Sequence, residues 1–411
     1  MPDDVKTRQK YNVGGLLLDR PFKIRRLGHF GFDNVNMAEG VKFYTELLGF
    51  RVSDVLDFGR LDKDGFPGLG ETRGFFMRHG TDHHSFVLFP RRVRQAMNRH
   101  PGQNPEVTTN QITFQVGNLR EVVEGHNWLV ANGVGMERAG RDLLGSNYHT
   151  YLYDPDDHIV ELYYGVQQIG WDQLSKPVFK TYKRWPVVAE LPQPAEYDEI
   201  LTEERTDGGA PLNSGYRGTD DLPPKYEVGG VLLPRPFKTV RIGPVRLFVK
   251  NMDASLAYYV GKMGLIVSEE VTYKGHRCVF LRVNTEHHSL ALYPHALRAE
   301  LGLSPHSSCM SFGLQMGSYQ QLRDALSWLG EKGAKPFELP SELRPGMDQT
   351  FYVKDPDGHA LELYHYMEQV GWDGRVRPAS ARRTIKMGDW PEALEAPSDA
   401  YMGEPFLGPL A

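Results

Sequence analysis

Two histidine pairs and two strand carboxylates stand out for the chemistry they could do. His83 and His84 lie in TDHHSFVLFP (81–90), and His287 and His288 lie in TEHHSLALYP (285–294). His84 precedes Phe86 and Leu88 at a period of two, so a strand would give it their buried face. Glu161 lies in YLYDPDDHIVELYY (151–164), and Glu362 lies in YVKDPDGHALELYH (352–365). A carboxylate among apolar strand neighbours needs a partner, and a base or a metal ion can be that partner. Strand alternation puts His149, Tyr151 and Tyr153 on one face. Imidazole and carboxylate together suit proton transfer or divalent metal binding.

The elements that must position these groups occur twice. GGLLLDRPFK (14–23) returns as GGVLLPRPFK (229–238), and QQIGWD (167–172) returns as EQVGWD (368–373). With the histidine and carboxylate segments, these collinear matches mark a tandem duplication. Each copy reads as two similar units. The first has a strand at 24–33, a helix at 37–48 and strands at 50–56, 73–78 and 84–89. Met37, Val41, Tyr44 and Leu48 share one face of that helix. The second unit runs strand 110–116, helix 118–132, then strands 134–138, 147–153 and 159–164, with an Asp-Pro turn before the last. The third and fourth quarters repeat the order. The expected fold class is α+β, with four βαβββ modules in series.

Composition narrows the function. The chain has 411 residues, with 47 Lys and Arg against 52 Asp and Glu, so no basic excess exists to neutralise nucleic acid or an anionic membrane surface. No apolar run reaches the length of a membrane span, and the polar N-terminus does not read as a signal peptide. Cys278 and Cys309 exclude a disulfide framework, and a reducing cytoplasm is the expected compartment. Residues 186–225 hold six Pro and nine acidic against three basic residues and read as a strap. The expected layout is a leader (1–23), a first domain (24–172), a Pro- and acid-rich strap (173–228), a second domain (229–374) and a C-terminal strap (375–411).

LGHFGF (27–32), FYTELLGF (43–50), DHHSFVL (82–88) and the run from Tyr151 through Asp154-Pro155 to Glu161 carry a family resemblance. The chain resembles the vicinal oxygen chelate superfamily. In layout it is similar to the type I extradiol ring-cleaving dioxygenases, whose signature is Y-x-x-D-P-x-G-x-x-x-E. The resemblance implies two tandem domains, each a cup with a divalent metal at its base. The metal ligands come from the first strand of each module and the last strand of the second.

On that pattern the first copy offers His29, Gln111 and Glu161 as ligands, with His149 as another candidate to complete the set. The second copy offers Pro244, Cys309 and Glu362, so the functional site is expected in the first copy. This ligand assignment lays Phe114 over Phe312. The resemblance also implies that His84 moves protons and Tyr151 holds an intermediate, and that Fe(II), or Mn(II), binds a catechol-like substrate and O₂. The corresponding reaction is extradiol ring cleavage. A glyoxalase-type lyase, isomerase or epimerase is an alternative, but its fourth ligand would fall on Phe86, which cannot ligate. A metal-free protein that binds an aromatic compound is a second alternative. Trp171 and Trp372 are expected as packing anchors, and His126 and His276 at the surface. Edge strands leave a homo-oligomer open.

Overall fold

A computed structural model gives the fold and describes residues 9–61, 65–97, 104–142, 144–181, 188–219 and 222–394. In the first half, beside a short hairpin of Tyr11–Val13 and Leu16–Leu18, eight strands form the main sheet: β1 (Arg26–Asn34), β2 (Arg51–Asp57), β3 (Arg73–Arg78), β4 (Phe86–Pro90), β5 (Thr109–Gln115), β6 (Met136–Arg141), β7 (Tyr148–Tyr153) and β8 (Ile159–Tyr164). They make one mixed sheet in the order β2-β3-β4-β1-β5-β8-β7-β6. Each set of four strands belongs to one βαβββ module, and β1 and β5 join the modules antiparallel at the centre.

The second half repeats the plan with β9 (Thr239–Val249), β10 (Ile266–Tyr273), β11 (His276–Arg282), β12 (Leu290–Pro294), β13 (Cys309–Met316), β14 (Thr350–Lys354) and β15 (Ala360–Tyr364). Its sheet has seven strands, ordered β10-β11-β12-β9-β13-β15-β14. The counterpart of β6 is reduced to a single bridge between Phe337 and Tyr352. Pro336, Pro340 and Pro345 fill that stretch, and a residue without an N–H cannot donate to a ladder. The fourth module is therefore one strand short of the expected pattern.

The modules' helices cover one face of each sheet. Helix α1 (Met37–Lys42) runs on into a wider turn at Phe43–Leu47, and α2 (Leu119–Ala131) and α3 (Tyr319–Glu331) start at the capping side chains of Asn118 and Ser318. Met37, Tyr44 and Leu48 are buried as the spacing predicts, and Val41 packs half-buried beside them.

One apolar core spans both halves. Phe30 stacks on Phe312 with ring centroids 4.3 Å apart, and Phe32 stacks on His359 at 4.0 Å. The Asp-Pro turns lock the halves reciprocally. Asp154 accepts from Tyr259 at 2.7 Å, and Asp355 accepts from Tyr44 at 3.0 Å. Asp157 and Gly358 take the left-handed backbone of their turns, with φ of 71° and 87°.

The strap crosses the first half and is tied down by polar contacts. Glu203 is buried and accepts from Thr181 and from the backbone N–H of Lys180 and Ala210, while Arg141 pairs with Glu199. Trp171 and Trp372, expected as anchors, are 96% and 100% exposed. Each follows a Gly at a chain corner, where the backbone turns and the indole has no neighbouring layer to enter. His126 and His276 are half-buried, bonded to Thr150 and Glu300.

Candidate functional site

Sheet register brings three side chains into a row. His29 on β1 pairs with Thr113 on β5, and Thr113 pairs with Glu161 on β8. His29 Nε2 lies 2.9 Å from Glu161 Oε2, and both residues are fully buried. Thr113 donates its hydroxyl to the same oxygen at 2.8 Å, and Asn147 donates to Oε1 at 2.9 Å. His29 Nδ1 has no hydrogen-bond partner. A bare Gly28 permits this packing, because a Cβ there would come within 2.2 Å of the Tyr163 ring that flanks His29.

The row lies beneath a cavity of about 700 Å³ in the first half. Phe58, Phe76, Phe89, Tyr151 and Ile159 give it apolar walls. His84, Gln111 and Arg138 supply polar groups among its lining. The His84 ring packs on His29 with centroids 4.3 Å apart and on the edge of Phe76 at 5.1 Å. Burial, with the His29 and His83 rings beside it, holds His84 well below the usual imidazole range, so it is neutral at pH 7.

Gln111 does not join the row. It sits two residues before Thr113 on β5, opposite Gly31, and lines the cavity instead. His149 does not join it either. Its Nε2 accepts from Arg138 at 2.8 Å, and its Nδ1 lies 3.5 Å from Asp142. Against burial, which would raise it, His149 and Arg138 hold Asp142 below the usual carboxylate range. The Arg138 guanidinium lies 4.3 Å over the Tyr151 ring, so Tyr151 faces the cavity with a cation on one side.

The second half uses the same register differently. Gly313, not Cys309, pairs with Glu362, so Thr113 corresponds to Gly313 and Gln111 to Ser311. The expected superposition of Phe114 on Phe312 is two residues out, and Cys309 matches Thr109. Pro244 does stand at the His29 position, as expected. The unforeseen residue is Arg246. It pairs with Ala291 as Gly31 pairs with Val87. Its fully buried guanidinium bonds Glu362, Tyr352, Ser311 and His288. A long cation on β9 therefore fills the cup that glycine leaves open on β1. Arg246 is legible only once its neighbours are known, because an arginine in a strand ordinarily reads as a surface residue.

The model of the Glyoxalase/Bleomycin resistance protein/Dioxygenase superfamily matches residues 26–162 and 241–363. The chain belongs to this superfamily. Solved structures agree with the tandem fold. A 2,3-dioxygenase from Pseudomonas sp. KL28 aligns with a TM-score of 0.54 at 14% identity, over 85% of this chain and 95% of that one. Homoprotocatechuate 2,3-dioxygenase from Arthrobacter globiformis aligns with a TM-score of 0.52 at 15% identity, over 85% and 82%. The Mn(II)-bound glyoxalase from Novosphingobium aromaticivorans aligns with a TM-score of 0.51 at 15% identity, over 86% and 85%. No curated protein sequence matches the chain. At these identities the likeness shows the fold, which hosts several chemistries.

A 2-His-1-carboxylate centre needs three donors on one face. Here the middle position is Thr113, whose hydroxyl is committed to Glu161. Glu161 already accepts three hydrogen bonds. Among the described residues, no group of three or more His, Cys, Asp or Glu side chains is arranged to hold a metal ion. The donor set does not fit the expected Fe(II) or Mn(II) centre. What it leaves is a buried imidazole–carboxylate pair beneath an aromatic-walled cavity with one neutral histidine in its lining. Among the described residues, no helix is long and apolar enough to cross a membrane.

Proposed function

We propose that the first half of this chain binds a small planar aromatic compound bearing a hydroxyl and an anionic group, and that the chemistry it performs there is proton transfer through His84. The observation that carries this reading is the cavity of about 700 Å³, whose lining combines aromatic rings, the Arg138 guanidinium and a neutral imidazole. Rings stack on rings, a guanidinium recognises a carboxylate or phenolate, and a neutral imidazole accepts a proton. The second half supports the fold while Arg246 fills its cup. Tyr151 forms a wall for the ligand ring, and Gln111 offers an amide to a ligand oxygen. The protein works in the cytoplasm on this reading.

A second reading is extradiol ring cleavage of a catechol with O₂ on Fe(II) or Mn(II). One observation favours it: His29 Nε2 and Glu161 Oε2 are 2.9 Å apart, a separation that two adjacent ligands of one ion also have. One experiment separates the two. The full chain is dialysed against a chelator, then titrated calorimetrically with hydroxybenzoates and catechols. A second sample is loaded anaerobically with Fe(II) and followed with an oxygen electrode and a metal assay. Binding that survives the chelator, with less than about 0.1 iron per chain and no oxygen uptake, supports the first reading. Stoichiometric iron with catechol-dependent oxygen uptake overturns it in favour of the second.

A further inference from the structure

Each half carries a chain of three titratable groups that runs from its sheet edge toward its cup. In the first half His84 Nδ1 lies 3.0 Å from His83 Nδ1, and His83 Nε2 lies 3.5 Å from Asp54 Oδ2. In the second, His288 Nδ1 lies 3.0 Å from His287 Nδ1, and His287 Nε2 lies 3.0 Å from Glu269 Oε2. Sheet register makes Asp54 and Glu269 counterparts, since they pair with Phe76 and Phe280 on the next strand. All four histidines are buried.

Two nitrogens that share one hydrogen bond must carry one proton between them, and the second half shows in which direction the chain runs. Arg246 can only donate, and its Nη2 lies 3.0 Å from His288 Nε2. His288 Nε2 is therefore a lone pair, and its proton is on Nδ1. That proton points at His287 Nδ1, which must accept, so the His287 proton is on Nε2 and points at Glu269. Burial would raise Glu269, but bonds from His287 and Arg382 hold it below the usual range, so the chain ends on a carboxylate. Both ends agree on one polarity.

The first half has the same carboxylate end and no arginine at the other, because position 31 is glycine. Asp54 is fixed by three further groups: its Oδ1 accepts from the Val55 backbone at 3.0 Å, its Oδ2 accepts from Ser175 Oγ at 3.0 Å, and Ser175 accepts from the Tyr216 backbone at 3.1 Å. A carboxylate so held accepts from His83 Nε2. His83 Nδ1 is then the acceptor for His84 Nδ1–H.

We infer that Asp54 and His83 are positioning residues that fix His84 as the Nδ1–H tautomer, leaving the Nε2 lone pair for the cavity as a general base toward a ligand hydroxyl. This inference rests on the proton-transfer reading above and adds the residues that make it directional. In the step, the ligand O–H bond breaks and an Nε2–H bond forms on His84. The ligand becomes an oxyanion and His84 an imidazolium, whose Nδ1–H faces His83 and, beyond it, the negative charge of Asp54. No oxidant or third reactant enters. The strap takes part, because Ser175 and Tyr216 lie outside the first sheet and hold Asp54 in place.

The test reads tautomers directly. Two-bond proton–nitrogen spectra of the full chain with ¹⁵N-labelled histidine, assigned with His83→Gln and His84→Gln, distinguish Nδ1–H from Nε2–H imidazoles. The expected result in the wild type, without ligand, is Nδ1–H for His84 and Nε2–H for His83. His84 protonated on Nε2 overturns the inference, and this reading needs no variant to fold. Asp54→Asn should shift His84 toward the other tautomer, and Asp54→Glu, the residue of the second half, should restore it. A His84 spectrum unmoved in folded Asp54→Asn overturns the inference. 4-Nitrophenol, whose absorbance reports its ionisation, supplies the functional arm. Its bound phenolate-to-phenol ratio should fall by about tenfold in Asp54→Asn with little change in affinity, as expected when a general base loses its orienting group. If 4-nitrophenol does not bind at all, the ligand reading fails while the tautomer spectra still decide the role of Asp54.

Discussion

Arg246 and Glu362 form a fully buried ion pair in the second half, at the place where the first half has Gly31 and Glu161. Glu362, outweighing the burial that lowers it, keeps the Arg246 guanidinium charged, and Tyr352, Ser311 and His288 complete its bonds. One duplicated cup is thus closed by its own cation and the other is left open. Arg246→Ala should cost about 3–5 kcal/mol of stability, because it strands a buried carboxylate. Arg246→Met with Glu362→Gln should cost clearly less. Urea unfolding followed by tryptophan fluorescence checks both. Equal losses in the two variants would show that packing, not charge, governs this cup.

Acid should loosen the protein before its carboxylates titrate. Burial lowers His79 and His365 to about 4, and it holds His84 and His288 well below 6.5 as well. Unfolded histidines take up protons near pH 6.5. Between about pH 6.5 and 4 the unfolded chain therefore binds more protons than the folded chain, and stability falls as pH falls. His158 acts in the other direction. Asp154 outweighs its burial and raises it, so its contribution is full below pH 6.5 and fades as pH rises through its folded value. Burial also lowers His126 and His149. With six lowered histidines against one raised among the described residues, the urea midpoint should drop from pH 7 to pH 5. The double variant His79→Gln with His365→Gln should flatten that slope. A midpoint that rises toward pH 5 would contradict the assignment.

Both thiols should be silent in the native state. Cys278 and Cys309 are free and buried, and burial pushes Cys278 up to about 12 and raises Cys309 further. A neutral buried thiol is a poor nucleophile. Ellman's reagent at pH 8 should find almost no reactive thiol until urea is added, and then two per chain. Rapid native reaction at either cysteine would mean that its strand opens locally.

Much of the fold and part of the site were legible in the sequence, for a physical reason. Alternation, the Asp-Pro turns and the repeat itself are local signals. They place His84 on an inward face, and the family resemblance implies the same for His29 and Glu161; all three are buried. Gln111 went astray because matching Phe114 to Phe312 favours one aromatic identity over the whole strand. The helix caps Asn118 and Ser318, which the structure shows bonding backbone N–H groups three residues on, set the register two residues away. Arg246 and Asp54 were not legible as site residues, because each gains its meaning from a partner far along the chain. Arg246 lies 116 positions from Glu362, and Asp54 lies 121 from Ser175. Trp171 and Trp372 misled because a large apolar residue is read as buried by default, whereas an exposed one is ordinary at a surface corner.

Moving the second half's closure into the first should abolish ligand binding without unfolding the protein. Gly31 and Arg246 are register counterparts, and so are Val87 and Ala291 beside them. A Cβ on Gly31 would come within 2.1 Å of Val87 Cγ2 and 2.9 Å of the Val87 backbone oxygen, so Gly31→Arg alone forces the valine side chain and the strand backbone to shift and should destabilise by about 1–3 kcal/mol. Val87→Ala removes that methyl contact and recreates the smaller neighbour that Arg246 has in the second half. The paired variant gives the new guanidinium a buried carboxylate, Glu161, and an imidazole, His84, as the second half gives Arg246 its Glu362 and His288. The paired variant should therefore recover part of the stability lost by Gly31→Arg, since the approach to the Val87 backbone oxygen remains. It should lose affinity for hydroxybenzoates at least about tenfold, because the cation takes the space and the charge complement that the ligand would use. Val87→Ala alone should keep binding within a few-fold, since it enlarges the cup. Calorimetric titration of the three variants, with urea midpoints beside it, decides the matter. Unchanged affinity in a well-folded paired variant would place the ligand somewhere other than the cup of the first half.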